Sequence, residues 1–371
     1  MSFIIIHLWR GFFACALVVV LLASYSRNPV PKAERTIELS NLVPFDEVFA
    51  PPDTVVLDLS VQVGPIWFID TDASGHLLIT DMSSGLVHLF EAKGHHISTF
   101  DVDVCYPNDT GHTVIAARFA DNGTILVNTW EDVMVVFDRV GNCVTARRDP
   151  TSRIQSFCTW GDSLFSFLNL RGPERKQMFE VYTMDLVFQR AIEHAPPEFP
   201  RLNSSYQGSF GRNMDCFEGG VLYKHHEDMD ATPVSRQVLW TKARPEFFVK
   251  RDRDVPSGRN RESRRQAREA FPLLNGLYAL DEDVRMMLFS GIDDSYRLQG
   301  DTRRQVLGFS IASNSNQFAP VSTIPHKAPY TASHGYLYFV RDYVTMPDGE
   351  FGNSTIIRHR FIPPTGVVPE D

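Results

Sequence analysis

The chain has 371 residues, of which 43% are hydrophobic, 12% aromatic and 22% charged; this composition is typical of a globular protein and excludes a disordered, collagen-like or multi-span membrane chain. The 36 Lys and Arg against 45 Asp and Glu give a formal net charge of −9, so the general attraction to phosphate on which nucleic-acid binding depends is missing and no nucleic-acid partner is expected. The 23 Gly, 23 Pro and 27 Phe favour a turn-rich β protein.

The N-terminus has the pattern of an export signal. An uncharged apolar segment at 11–22 follows Arg10 and precedes Ser24-Tyr25-Ser26, which offers small residues at a cleavage spacing. Together with the apolar residues before Arg10, the segment approaches the ~20 residues that span a bilayer, so cleavage and retention as a membrane anchor both stay open. We therefore predict a signal peptide or anchor at 1–26, a linker at 27–53, and export to the periplasm or the cell exterior, with membrane contact only through the N-terminal segment.

From residue 54 onward the sequence repeats a unit of apolar stretches separated by tight turns. The first copy, at 65–100, reads PIWFID, TDASG, HLLITD, MSSG, LVHLFE, AKG and HHISTF, and its alternation between turn signals predicts strands. Six copies are counted, and the second strand of each has an apolar anchor: Leu77, Ile125, Leu164, Leu222, Met286 and Leu337. Successive anchors lie 39 to 64 residues apart, around the ~40–50 residues of a propeller blade.

This repeat, as in DTDASGHLLITD at 70–81, resembles the six-bladed β-propellers of the NHL-repeat-like class, in particular exported bacterial members. The resemblance covers 54–362 and implies an all-β fold with six four-stranded blades. The last unit has three strands before the tail at 363–371, so the strand at 54–61 is predicted to complete the sixth blade and close the ring. The resemblance does not select a function, because this class includes lyases, lactonases, receptor ectodomains and scaffolds.

Three short motifs resemble functional sites. Residues 70–81 have the oxygen spacing of a calcium loop, but strands flank them where that loop needs helices, so we predict a hairpin turn. The block Gly161–Leu164 spells GDSL, as in a hydrolase family, without the Asp-x-x-His that must follow, and again predicts a hairpin. The cluster HHEDMD at 225–230 could bind a transition metal, but adjacent strand residues point to opposite faces, which favours a polar loop.

Export permits disulfides, and four cysteines follow the leader: Cys105, Cys143, Cys158 and Cys216. Cys158 and Cys216 occupy the same position in the inner strands of units three and four. Because stacked sheets lie ~10 Å apart and a disulfide needs Cα atoms within ~7 Å, we predict that these two are buried free thiols. A bridge between Cys105 and Cys143 stays open, and the absence of any C-x-x-C pair argues against a zinc or redox motif.

The loops between the second and third strands are short in units one and two and long in units three to six. With a basic insertion at 250–269 that enters unit five, they should gather at one end of the ring as a positively charged rim. Side chains with planar or long amphipathic groups are favoured there for contact with a partner. They are Arg171, His225, His226, Arg297 and Tyr343. Drift of unconstrained surface loops is the alternative interpretation.

These observations favour an exported, non-catalytic binding or scaffold propeller whose rim recognises an anionic protein, peptide or polysaccharide of the cell envelope. No complete nucleophile and base set and no linear metal motif occurs, so no catalytic residue, cofactor or metal ligand is predicted. The alternative is a metal-assisted lactonase- or lyase-like enzyme with Ca or Zn at the mouth of the central channel. The sequence does not predict the oligomeric state.

Overall fold

The computed structural model describes residues 34–37, 43–81, 84–148, 152–170, 177–193, 214–217, 220–223, 232–233, 242–245, 273–281, 284–291, 304–311, 318–323, 331–341 and 355–363. The chain divides into residues 1–33, which lie outside these ranges, and a second unit, 34–371, to which the following description refers. Among the residues just given, no helix is both long enough and apolar enough to cross a membrane.

The described elements are almost all strands. The helical ones are α1 (Phe45–Val48) and a 3-10 turn at Val102–Val104. The strands up to residue 148 are β1 (Glu34–Ile37), β2 (Asp53–Val56), β3 (Ile66–Thr71), β4 (Leu77–Asp81), β5 (Val87–Phe90), β6 (His96–Phe100), β7 (Val114–Phe119), β8 (Ile125–Thr129), β9 (Val133–Phe137) and β10 (Cys143–Arg148). Those up to residue 245 are β11 (Ser152–Trp160), β12 (Ser163–Leu170), β13 (Gln177–Thr183), β14 (Phe188–Glu193), β15 (Met214–Phe217), β16 (Gly220–Tyr223), β17 (Thr232–Pro233) and β18 (Lys242–Pro245). The last are β19 (Leu273–Ala279), β20 (Val284–Gly291), β21 (Arg304–Ile311), β22 (Phe318–Thr323), β23 (Thr331–Ser333), β24 (Tyr336–Arg341) and β25 (Thr355–Arg360).

These strands form sheets in which sequence neighbours pair antiparallel. In the described ranges, β3–β6, β7–β10, β11–β14 and β19–β22 are four-stranded sheets, which we number one, two, three and five. Sheet four contains β15–β17, and sheet six contains β23–β25 with β2 at its edge. A separate pair joins β1 and β18 in parallel. Consecutive four-stranded meanders of this kind are the building units of a β-propeller, so the predicted all-β, propeller-type architecture is confirmed.

The N-terminal strand completes the last sheet. β2 pairs antiparallel with β25 from Asp53 opposite Arg358 to Val56 opposite Thr355. Directly before it, Phe49 forms a bridge with Phe361, and the amide of Ala50 donates to the carbonyl of Arg360 at 2.8 Å. A strand was predicted at 54–61; the observed strand is shorter, Asp53–Val56, and it supplies the edge that the last three strands lack.

The core lies between neighbouring sheets. Every residue of β4, β8 and β9 is buried, because a strand in the middle of a sheet covered on both faces has no solvent side. The outermost strand of sheet two, β10, is exposed or half-buried along its length. One apolar cluster joins sheets one and two, and another, which includes Val55, Ile69 and Tyr338, joins sheets six and one. The first strands of successive sheets also touch: β11 with β15, β15 with β19, β19 with β23, and β23 with β3.

The two disulfides require one correction. Cys105 bonds to Cys143, with Cα atoms 5.7 Å apart, so the bridge that the sequence left open is present. Cys158 bonds to Cys216 with Cα atoms 5.6 Å apart, and the prediction of two free thiols was wrong. The ~10 Å separation applies to the stacked faces of two sheets, whereas β11 and β15 are first strands that converge, and converging strands fall within disulfide reach.

Candidate functional site

A cavity of about 500 Å³ lies where the first strands of the sheets end. Its volume falls within the ~300–1,000 Å³ of typical ligand sites. β3, β7, β11, β15, β19 and β23 each contribute to its wall. Their side chains there include Asp70, Arg118, Trp160, Asp215, Tyr278 and Ser333. The cavity is therefore a product of the whole repeat array and not of one loop.

An ion pair crosses between two of these strands. Nη1 of Arg118 on β7 donates to Oδ1 of Asp215 on β15 at 3.0 Å, and Nη2 donates to the carbonyl of Met214 at 3.3 Å. The guanidinium also lies 5.5 Å from the ring centre of Phe68. The other carboxylate oxygen of Asp215 accepts from the amide of Ala279 on β19 at 2.7 Å. These contacts direct the charge of Arg118 toward Asp215 and fix both side chains.

Asp70, the penultimate residue of β3, is the most perturbed acid of the cavity. Its Oδ2 accepts from the amide of Phe119 at 2.9 Å. Its pKa is raised to about 6, chiefly by burial and to a smaller extent by the Asp215 charge, although the Arg118 charge and this hydrogen bond act to lower it. A carboxyl group with a pKa near neutrality in a cavity is characteristic of acid–base or ligand-binding chemistry.

The mouth of the cavity carries further charge. Asp121, Asp281 and His334 line it and are exposed. Oδ2 of Asp121 accepts from the amide of Gly161 at 3.2 Å, which joins the first turns of sheets two and three. Deeper in the wall, the hydroxyls of Thr71 and Ser333 are hydrogen-bonded across β3 and β23. The wall thus combines several carboxylates with hydroxyl and aromatic groups.

The predicted rim lies elsewhere in the chain. Arg171, His225, His226, Arg297 and Tyr343 all fall outside the described residues, so the rim stays a prediction. The loops that were predicted to build it join second strands to third strands. The cavity instead forms at the opposite end of the sheets, where first strands turn into second strands.

Two of the three short motifs have the turn roles that their context predicted. The carboxylate of Asp72 accepts from the amides of Ser74 and His76, both at 3.0 Å, in the hairpin between β3 and β4. The Gly161–Leu164 block forms the hairpin between β11 and β12, and the cluster at 225–230 is outside the described residues. Within the described part of the chain, no three His, Cys, Asp or Glu side chains come together closely enough to hold a metal ion.

The sequence interpretation did not single out Arg118 or Asp215, and it considered Asp70 only as the first position of the calcium-loop spacing that it assigned to a hairpin turn. A signal was present, because carboxylates recur at or just after the end of first strands, as in Asp70, Asp121 and Asp281. In each unit these residues also suit a tight turn. Only the folded chain distinguishes the carboxylates that cap a turn from those that line the cavity.

Comparisons with known proteins identify a fold. No protein family profile and no curated protein matches the sequence. A protein of Bacteroides fragilis NCTC 9343 named as exported superposes with a TM-score of 0.63 at 12% identity, over 89% of this chain and 99% of that one. A DUF4221 protein of Bacteroides vulgatus ATCC 8482 gives 0.57 at 12% identity, over 85% and 97%. At such identity the similarity concerns the fold alone.

Proposed function

We propose that this chain is an exported six-bladed β-propeller that binds a small ligand in the cavity at the ends of its first strands, with β2 closing the ring. The observation that carries the proposal is the convergence of polar and charged side chains from β3, β7, β15 and β19 on one cavity of about 500 Å³. Side chains from distant parts of a chain that meet in a concave site are the usual basis of ligand recognition.

Ring closure is supported by contacts between the last sheet and the first. β23 touches β3, Thr71 is hydrogen-bonded to Ser333, and an apolar cluster spans both sheets. Deletion of residues 54–61 is expected to cause aggregation or a less cooperative thermal transition, because it exposes the edge of β25. A chain lacking 364–371 is the length-matched control. Equal melting of the deletion variant and the parent would contradict closure.

Export is supported by the apolar segment at 11–22 and by two disulfides, which persist in oxidising compartments. The B. fragilis protein that is named as exported has the same fold. Residues 1–40 fused to alkaline phosphatase, which needs disulfides, should give an active reporter. The same fusion with Val18→Arg and Leu21→Arg, which interrupt the apolar segment, should be inactive. Equal activity of both fusions would contradict export by this segment.

Ligand binding in the cavity is tested by filling it. Ala73 lines the cavity from an exposed turn position, so Ala73→Trp should occupy space without disturbing the core. Val140→Trp puts the same ring on the exposed turn between β9 and β10 and serves as control. A panel of small cations, anions and neutral polyols should contain compounds that raise the melting temperature of the parent and of Val140→Trp but not of Ala73→Trp. If no compound behaves in this way, the proposal is wrong.

An enzyme with its site in the same cavity is the second candidate, and the near-neutral pKa of Asp70 favours it. In the metal-assisted lactonase- or lyase-like form, purified protein would contain stoichiometric Ca or Zn. Asp70→Asn would then lower the metal content, while Glu91→Gln, on an exposed turn outside the described cavity lining, would not. Metal analysis of the three proteins tests this.

The rim with Arg171 and Arg297 is a separate prediction for an anionic envelope partner, tested by pull-down with both residues changed to Ala.

A further inference from the structure

The charges on the cavity wall are unequal. Among the described lining residues there are four aspartates, one arginine and one histidine. The arginine, Arg118, is only 3.0 Å from Asp215, so these two charges largely offset each other. Asp70, Asp121 and Asp281, with His334, are the other charged or titratable side chains of the described wall. Acidic side chains therefore outnumber basic ones in the described part of the wall, and a cavity walled by protein of low dielectric constant strengthens the resulting negative potential.

We propose that the ligand of this cavity is a small organic cation that carries amine or guanidine groups, an inference that rests on the proposed binding function. The carboxylates are distributed over the cavity: Asp70 is on β3, Asp121 follows β7, and Asp281 follows β19. Two of them, Asp121 and Asp281, are exposed at the mouth, whereas Asp70 is partly buried. A ligand with separated positive groups matches this distribution better than a point charge does.

The rest of the wall suits an organic ion. The indole of Trp160 and the ring of Tyr278 line the cavity together with the apolar side chains of Leu277 and Ala332. Aromatic faces attract alkylammonium and guanidinium groups, and the apolar surface accommodates the carbon chain between them. A divalent metal ion instead needs several oxygen ligands converging at about 2.0–2.6 Å.

Charge on Asp70 links binding to pH. Its pKa near 6 means that the group is mostly neutral at pH 5 and mostly ionised at pH 8. A cation in the cavity stabilises the ionised form, so binding releases a proton near pH 6 and is stronger at pH 8. Affinity for the cation should therefore fall about tenfold between pH 8 and pH 5 if the ion–ion contact is direct.

The test uses calorimetric titration of the purified protein with putrescine, spermidine and agmatine, with 1,4-butanediol as the uncharged control and calcium chloride as the metal. At least one amine should bind the parent, and butanediol should not. Asp70→Asn and Asp281→Asn should each weaken amine binding about fivefold or more, and Glu91→Gln, an equal charge change on an exposed turn outside the described cavity lining, should not. If either variant melts below the parent, Asp121→Asn, at another exposed position of the mouth, is measured in its place.

The outcomes separate this inference from the binding function on which it rests. If a neutral or anionic compound of the panel binds and Ala73→Trp abolishes that binding, the cavity is a ligand site but the cation class is wrong. If calcium binds in place of the amines, the class is also wrong. Amine binding that is the same in the parent and the aspartate variants overturns the inference, because it reflects general attraction to an acidic protein. If nothing binds in the cavity, both proposals fail.

Discussion

Asp70, which is partly buried, and His88, which is buried, have opposite effects on how the stability of the folded chain depends on pH. The pKa of Asp70 is raised from 3.8 to about 6 by burial, so between these values the folded chain holds more protons than the unfolded chain and loses stability as pH rises. The pKa of His88 is lowered from 6.5 to about 4, again chiefly by burial. Between pH 6.5 and 4 the unfolded chain holds more protons, and stability falls as pH falls.

Asp70→Asn should raise the free energy of unfolding at pH 8 by about 1 to 3 kcal/mol, because it removes a buried charge and keeps an oxygen to accept from Phe119. Near pH 4, where the carboxyl group of the folded protein is already protonated, the variant and the parent should be alike. Urea unfolding at pH 4.5, 6 and 8 measures this, with Glu91→Gln as control. A loss of stability at pH 8 would show that the ionised carboxylate is favourable in the free cavity.

His88→Asn should remove the acid sensitivity that this imidazole causes. Nδ1 of His88 lies 3.0 Å from Oγ1 of Thr99, and the side chain is buried in sheet one. Asn places a polar atom near the Nδ1 position but does not titrate, so the stability lost between pH 7 and pH 4.5 should shrink by about 1 to 3 kcal/mol, although the smaller side chain lowers stability at every pH. His95→Asn, at an exposed position, should retain the slope of the parent. An unchanged slope in His88→Asn would contradict the assignment.

Individual strands were predictable because local signals determine them. Tight turns with Asp and Gly separate the strands, as in the turn between β3 and β4 that the amide of Gly75 closes by donating to the carbonyl of Asp72 at 2.9 Å. The anchors Leu77 and Leu337 are buried in second strands. Distances between sheets are set by tertiary packing, which local sequence does not encode, and the error over Cys158 follows from this.

The Cys158–Cys216 disulfide joins sheets three and four at the cavity wall. Changing both residues to Ala should lower the free energy of unfolding by about 2 to 4 kcal/mol, since the bond closes a loop of 58 residues in the unfolded chain. The Cys105–Cys143 bond closes a shorter loop of 38 residues, so changing both of these residues to Ala should lower the free energy of unfolding slightly less. Peptide mapping without reduction should recover the 158–216 linked peptide, and alkylation of either cysteine in denatured, unreduced protein would contradict the bond.

The cavity could not be predicted from the sequence because its parts are far apart in the chain. Arg118 of sheet two and Asp215 of sheet four are 97 residues apart and meet at 3.0 Å, and Asp70 belongs to sheet one. No linear motif marks such a set, and in isolation each residue has an ordinary strand or turn position. Repeat architecture nevertheless makes the convergence understandable, because first strands that contact one another bring equivalent positions of several units to one end of the array.

The contact between the first and last sheets gives a test of the whole molecule. Gly94, in the turn between β5 and β6, has φ +90°, and a Cβ there would lie 2.2 Å from the carbonyl oxygen of Val56 on β2. Gly123, in the equivalent kind of turn between β7 and β8, has φ +83°, and its Cβ would meet nothing closer than 3.9 Å. Both turns close with an amide-to-carbonyl bond, Gly94 to Glu91 at 2.8 Å and Gly123 to Ala120 at 2.9 Å.

Gly94→Ala and Gly123→Ala therefore share the cost of a left-handed residue, about 1 to 2 kcal/mol, and differ in the overlap with β2. Since a backbone carbonyl must move to relieve that overlap, Gly94→Ala should lose about 1 to 3 kcal/mol more, and its thermal transition should broaden as sheet six separates from sheet one. Calorimetry of both variants measures the difference. In a chain already lacking residues 54–61, the excess should disappear because Val56 is absent. Equal destabilisation by the two substitutions in the intact chain would mean that β2 does not hold the first and last sheets together.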